Sequence, residues 1–242
     1  MQYYIGIDLG TSSVKSLLME ENGRAVETAQ EGYEIIKREQ QYAEQDIDLL
    51  CDAALRTVRT LLEKHPDAGE CIKGVGFSGQ MHGLVVIGRD GKPLRNAIIW
   101  ADQRSQEEIQ NLYSIIPKAE YHQISLNSVS TGFLISSLMW VKAHEPEVYN
   151  SIDKVMLPKD YLRYRMCKEL GTDMSDASST VIFDTKNRHW AWDFIDRLGL
   201  ERDFFVPCRE AYETAGESTA ACERLTGLKA GTKIVYGGGD SL

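Results

Sequence analysis

Apolar residues gather on both sides of a short polar stretch near the start of the chain, Asp8-Leu9-Gly10-Thr11-Ser12-Ser13. The run from Tyr3 to Leu18 therefore reads as a strand, a tight loop and a returning strand. Asn22-Gly23 follows, a dipeptide suited to a two-residue hairpin turn, so Val26 to Tyr33 is expected to come back as a third antiparallel strand. The period then changes. Ile47, Leu50, Ala54, Val58 and Leu61 recur at helical spacing behind Asp46, a residue type that caps helices, which predicts an amphipathic helix over Asp46 to Lys64. Ile72 to Ser78 is a short apolar run and predicts a buried strand. Farther on, Leu84 to Ile87 and Ala97 to Trp100 predict a hairpin around Arg89-Asp90-Gly91-Lys92, and most of Pro117 to Asn150 reads as helix. Lys154 to Leu157 predicts a strand, and Pro158 opens a helix through Arg165, since proline is tolerated in a first turn. Thr172 to Thr180 fits either a capped short helix or a ligand-facing loop. Lys233 to Tyr236 is an apolar strand that runs into Gly237-Gly238-Gly239-Asp240.

Three antiparallel strands, a crossover helix and a further strand give an α/β class, in the order of the ribonuclease H-like core of actin-like ATPases. In such sheets ligands gather beyond the carboxyl ends of parallel strands, which draws attention to the polar residues that end them. At the first strand, Gly10 lets the backbone bend, and the amides and hydroxyls of Thr11, Ser12 and Ser13 make a concavity of donors suited to phosphate oxygens. Asp8 would repel a phosphate there unless a divalent cation or its water lies between them. The same residues also fit an ordinary hairpin with a polar turn. At the second strand end stands Ser78-Gly79-Gln80-Met81-His82-Gly83. Trp100 beside Asp102 and Arg104 is a combination that lines sugar pockets, because the ring packs on C–H faces while charged groups bond hydroxyls. Asp102 fits equally well as the N-cap of a helix with Glu107 and Glu108 in its first turn. Gly237 to Asp240 repeats the logic of the opening loop, and a glycine-rich tail is the plain alternative.

Composition narrows the field. The chain has 242 residues, 43% of them apolar, with a net charge of -9 and a pI near 5.1. That is enough for a core, and it lacks the Lys/Arg-rich block of a nucleic-acid surface, so no nucleic acid partner is expected. Five scattered cysteines without a Cys-x-x-Cys argue against a disulfide framework and a zinc site. No segment reads as a signal peptide or a membrane span, which places the expected compartment in the cytoplasm. A P-loop reading of Gly10 to Ser16 fails because the second glycine is missing.

Taken together, Ile7 to Ser12, Ser78 to Gly83, Trp100 to Arg104, Leu157 to Arg163 and Gly237 to Asp240 closely resemble the xylulokinases of the FGGY carbohydrate kinase family. Met174 to Ala177 is similar to that family's pattern as well. The resemblance runs the length of the chain, and its most specific part is Gln80-Met81-His82-Gly83. It implies the ribonuclease H-like, actin-like ATPase domain of a duplicated sugar-kinase fold, and transfer of a phosphoryl group from ATP, with Mg²⁺, to the 5-hydroxyl of D-xylulose. By the resemblance Asp240 is the general base, with Gln80, Met81, His82, Trp100 and Asp102 on the sugar. Asp8 is a second catalytic acid and the metal ligand, and Gly10, Thr11 and Ser12 cradle the nucleotide phosphates. Other ketoses and polyols such as L-xylulose, ribulose or gluconate, and a non-catalytic sugar-binding protein, are the alternatives.

Members of that family are about twice as long. Residues 1–231 are therefore read as the sugar-binding domain, and 232–242 as the first strand and loop of a C-terminal nucleotide-binding domain that is otherwise missing. An apolar strand whose sheet is absent would seek a neighbouring chain, so a homodimer is an expected partner state.

Overall fold

The computed structural model describes residues 1–241. Its centre is one mixed sheet. Strands β1 (Tyr3–Leu9), β2 (Ser13–Glu20) and β3 (Ala25–Gly32) form the expected antiparallel meander, with Gly23 at φ +88° in the turn between the last two. Alternation along β1 decides its faces: Ile5, Ile7 and Leu9 are buried, while Tyr4, Gly6 and Asp8 look the other way. A short strand β4 (Glu44–Gln45) precedes helix α1 (Ile47–Lys64), which Asp46 caps by accepting from the amides of Asp48 and Leu49. Leu50, Ala54, Val58 and Leu61 of α1 pack on the buried face of the sheet, with each leucine and the valine contributing about 1.5–3 kcal/mol. After the short helix α2 (Pro66–Gly69), strand β5 (Ile72–Gly79) enters parallel to β1.

The chain then leaves the sheet between Gly79 and Thr214. Helices Gln106–Ile115, Lys118–Ser125, Leu134–His144 and Pro146–Asn150 build a second apolar core around Leu112, Tyr121, Leu138 and Phe194. Helix Pro158–Cys167 returns to the first core. Met174–Ser179 is a short helix capped by Asp173, so the capped reading of that polar stretch holds.

Strand Lys233–Val235 lies parallel against β5 and antiparallel against Thr214–Glu217, inside the same sheet as β1. Within this chain the strand expected in 232–242 is thus a member of the same sheet as β1. Ile234 is wholly buried against the β5 side of the first core, and both edges of the strand are paired. The same pairing removes the reason for expecting that strand to seek a second copy of the chain. Among the described residues no helix is long and apolar enough to cross a membrane.

Candidate active site

Three parallel strand ends stop in line. Leu9 of β1 pairs with Gly79 of β5, and Gly79 pairs with Gly239 on its far side. The loops that follow, 10–13, 80–83 and 237–241, therefore emerge side by side, as expected of a ligand site in an open α/β sheet. Backbone bonds weld them together: the Gln80 amide donates to the Leu9 carbonyl at 2.8 Å, and the Asp240 amide to the Gly79 carbonyl at 3.1 Å. Asp8 and Asp240 are thus brought to one edge of the sheet from opposite ends of the chain. Two inter-strand steps and two residues of rise put their backbones on the order of 12 Å apart.

The opening loop is held from behind. Its carbonyls at Gly10, Thr11 and Ser12 accept from Tyr33 Oη, Gln45 Nε2 and the Tyr33 amide. With those oxygens spent on the protein, the loop turns fewer repulsive acceptors toward an anion. Trp100 is half exposed and donates through Nε1 to Thr11 Oγ1 at 2.9 Å, which joins the expected sugar-facing ring to the opening loop. Asp8 is exposed, opposite Lys15 on β2 and beside Ser78 on β5, at a hollow of about 420 Å³. A larger depression of about 940 Å³ spreads over the same face around Tyr4, Gly6, Gly74 and Val235, and none of the site residues lines it.

His82 sits in the left-handed backbone region at φ +73°, a costly conformation for a residue with a side chain. It is fixed there from two sides. Its ring stacks on Phe133 with centroids 3.8 Å apart and planes 3° from parallel. Its Nδ1 lies 2.8 Å from the Ser179 carbonyl, which can only accept, so Nδ1 carries the proton and Nε2 is left as the acceptor. Burial pushes the His82 pKa below the ordinary value of 6.5, against the Ser179 carbonyl and the charge of Asp240, which favour the protonated ring. Met81 packs on the base loop so closely that a Cβ at Gly239 would come 2.6 Å from Met81 Cγ.

Two residues expected on the sugar, Gln80 and Asp102, are buried and bonded to protein groups. Gln80 is 1% exposed and donates to Gln45 Oε1 at 2.8 Å, so it braces the residue that holds the Thr11 carbonyl. Asp102 is also 1% exposed. Its oxygens take the Arg104 guanidinium, the Arg104 amide and the Ala43 amide, and the following helix begins at Gln106 after Ser105, so Asp102 does not cap it. The adjacent charges Asp102 and Arg104 satisfy each other, with Arg104 stacked over Tyr42 and paired to Glu44.

Sequence reasoning gave no role to Gln45, Tyr33, Ser179 or Phe133, each of which touches the site from a distant segment. Lys159, Asp160, Asp173 and Asp176, all fully buried behind it, escaped as well. The available signals were the Leu157 to Arg163 and Met174 to Ala177 stretches and the capping pattern around Asp173, none of which showed that these side chains meet.

A mixed sheet of this order, with two acids and a histidine loop at one edge, defines the actin-like ATPase class of phosphotransferase folds. Residues 3–242 match the FGGY family of carbohydrate kinases, N-terminal domain, and the chain belongs to that family. It is similar to the xylulose kinase of Escherichia coli, with 37% identity over 98% of this chain and 48% of that protein. Among solved structures it resembles the xyloylose kinase of Brucella ovis, with a TM-score of 0.90 and 33% identity over 99% of this chain and 48% of the other. It is also similar to the gluconate kinase of Lactobacillus acidophilus, with a TM-score of 0.92 and 27% identity over 99% of this chain and 48% of that one. The chain spans about half the length of the relatives it matches.

Proposed function

We propose that the protein carrying this chain transfers the γ-phosphoryl group of ATP to the 5-hydroxyl of D-xylulose, and that this chain is the half that holds the sugar. The observation that carries the reading is the alignment of Leu9, Gly79 and Gly239, which sets Asp8, Met81-His82 and Asp240 around one edge of the sheet. In this reading Asp240 accepts the hydroxyl proton as the sugar oxygen bonds to the γ-phosphorus. The bond from that phosphorus to the bridging oxygen breaks, and ADP leaves with the electron pair. A primary alcohol is a weak nucleophile near neutral pH, so a carboxylate in reach is worth about two to four powers of ten in rate. Met81 and the neutral Nε2 of His82 orient the sugar, and the half-exposed face of Trp100 offers it an apolar wall. Gly10, Thr11 and Ser12 receive phosphate oxygens.

The exposed Asp8 carboxylate with Ser78 beside it fits the hard-oxygen donors that a hydrated Mg²⁺ takes, and Asp8 is the residue that would hold it. When bound, the ion neutralises charge on the phosphate oxygens. The chain's likeness to a gluconate kinase keeps a second substrate in view within the same chemistry.

The test is a panel of D-xylulose, L-xylulose, ribulose, gluconate and glycerol with the complete protein, following ADP release. D-xylulose should give the highest kcat/KM. Asp240→Asn should lower kcat by about two to four powers of ten with an unchanged melting temperature. Preference for another acceptor would overturn the substrate assignment, and a fully active Asp240→Asn would overturn the mechanism.

A further inference from the structure

Behind the site lies a closed assembly of buried charge. Lys159 is 0% exposed, and its Nζ lies 2.8 Å from Asp160 Oδ1, 3.0 Å from Asp173 Oδ1, 3.4 Å from Asp176 Oδ2 and 3.2 Å from the Tyr236 carbonyl. The three carboxylates come within 4.8 Å of one another, the spacing of a metal site, but the ammonium already occupies the position a cation would take. Arg163 supplies a second positive charge, 3.9 Å from Asp160.

Each partner of Lys159 leads to a different part of the site. Tyr236 is the last residue before Gly237, where the base loop begins. Asp173 caps helix Met174–Ser179 through the amides of Ser175 and Asp176, and Asp176 lies within that helix. From its first turn Ser175 Oγ accepts from the Gly239 amide at 3.3 Å, one residue from Asp240. From its last turn Ser179 holds His82 twice, through Oγ to the backbone amide at 3.3 Å and through its carbonyl to Nδ1. The stem of Lys159 also supports the sugar loop, since a Cβ at Gly79 would lie 3.1 Å from Lys159 Cβ.

We propose that Lys159 is a positioning residue, whose ammonium sets the spacing between His82 and Asp240 by anchoring both the Tyr236 carbonyl and helix Met174–Ser179. The proposal rests on the functional reading above for the roles of His82 and Asp240. Burial alone would discharge Lys159, yet Asp160, Asp176 and Asp173 outweigh it and hold its pKa above that of an ordinary lysine. Burial raises the Asp176 pKa, with Asp160 and Asp173 adding to the rise and Lys159 opposing it.

Hydrogen exchange on the full chain tests this without any substrate. In Lys159→Met, peptides covering Gly79–Gly83 and Tyr236–Ser241 should exchange on the order of tenfold faster, while those of Ile47–Lys64 keep the wild-type rate. Ser175→Ala removes one hydroxyl and no charge, and should speed exchange at Tyr236–Ser241 alone. It decides the matter if Lys159→Met does not fold. In the complete protein Ser175→Ala should lower kcat about tenfold with the sugar KM within about twofold, because it misplaces the base and leaves the sugar loop in place. Equal acceleration in Ile47–Lys64, or unchanged exchange at both loops, would overturn the proposal. A wild-type protein that phosphorylates no ketose would instead sink the functional reading, and the exchange result would still decide the role of Lys159.

Discussion

His82 condenses the chemistry of the site into one side chain. A histidine at φ +73° with its ring stacked on Phe133 gives up backbone comfort for a fixed orientation, and the Ser179 carbonyl selects the tautomer with Nε2 free. Its pKa is lowered chiefly by burial, so the folded protein favours the neutral ring. The unfolded chain takes up the proton first as pH falls. The stability His82 contributes is therefore complete above about pH 6.5 and is lost as pH drops through the lowered folded value. Binding should follow the same sign, because a protonated Nε2 can no longer accept a sugar hydroxyl. We expect the ketose KM of the complete protein to rise as pH falls through the lowered His82 value of the folded protein, and the His82→Gln variant to show a high KM with no such dependence. A wild-type KM that stays flat across the pH range in which the folded protein takes up the His82 proton would remove the acceptor role.

At the level of elements, the site is held by close approach between loops. Gly237 has φ +77°, and a Cβ there would come 2.5 Å from the Phe77 carbonyl oxygen. Gly239 meets Met81 in the same way. Glycines let the base loop lie against the end of β5 with nothing between. Gly237→Ala should push the loop off that strand, costing about 1–3 kcal/mol in chemical denaturation and lowering kcat more than the sugar KM. An alanine variant of wild-type stability and turnover would show that the loop has slack. Helix Met174–Ser179 is the opposite device. It is too short to be stable by itself, and it is held by its Asp173 cap and the buried charges under it. Sequence pattern made the cap legible, through short polar residues around Asp173, but showed nothing of what the helix touches.

In the whole molecule, one sheet carries an apolar core on one face while the segment between β5 and strand Lys233–Val235 builds a second core beside it. The relatives are about twice as long as this chain. Phosphoryl transfer needs both reactants oriented together, and in the proposed reading this chain is the half that holds the sugar. We therefore expect the 242-residue chain alone to bind D-xylulose weakly and to show no appreciable turnover in an ADP-coupled assay. Turnover close to that of the complete protein would overturn this.

The residues themselves determined the meander, the capped helix α1, the strand β5 and the three polar loops, because strand and helix periods and turn chemistry act over a few neighbours. Tertiary structure alone decided that Lys233–Val235 enters the first sheet beside β5, that Gln80 and Asp102 turn inward to brace, and that Lys159 gathers three carboxylates behind the site. The reason is physical. Whether a polar side chain meets ligand or protein depends on which partner arrives from a remote segment to satisfy it, and local sequence carries no record of that partner.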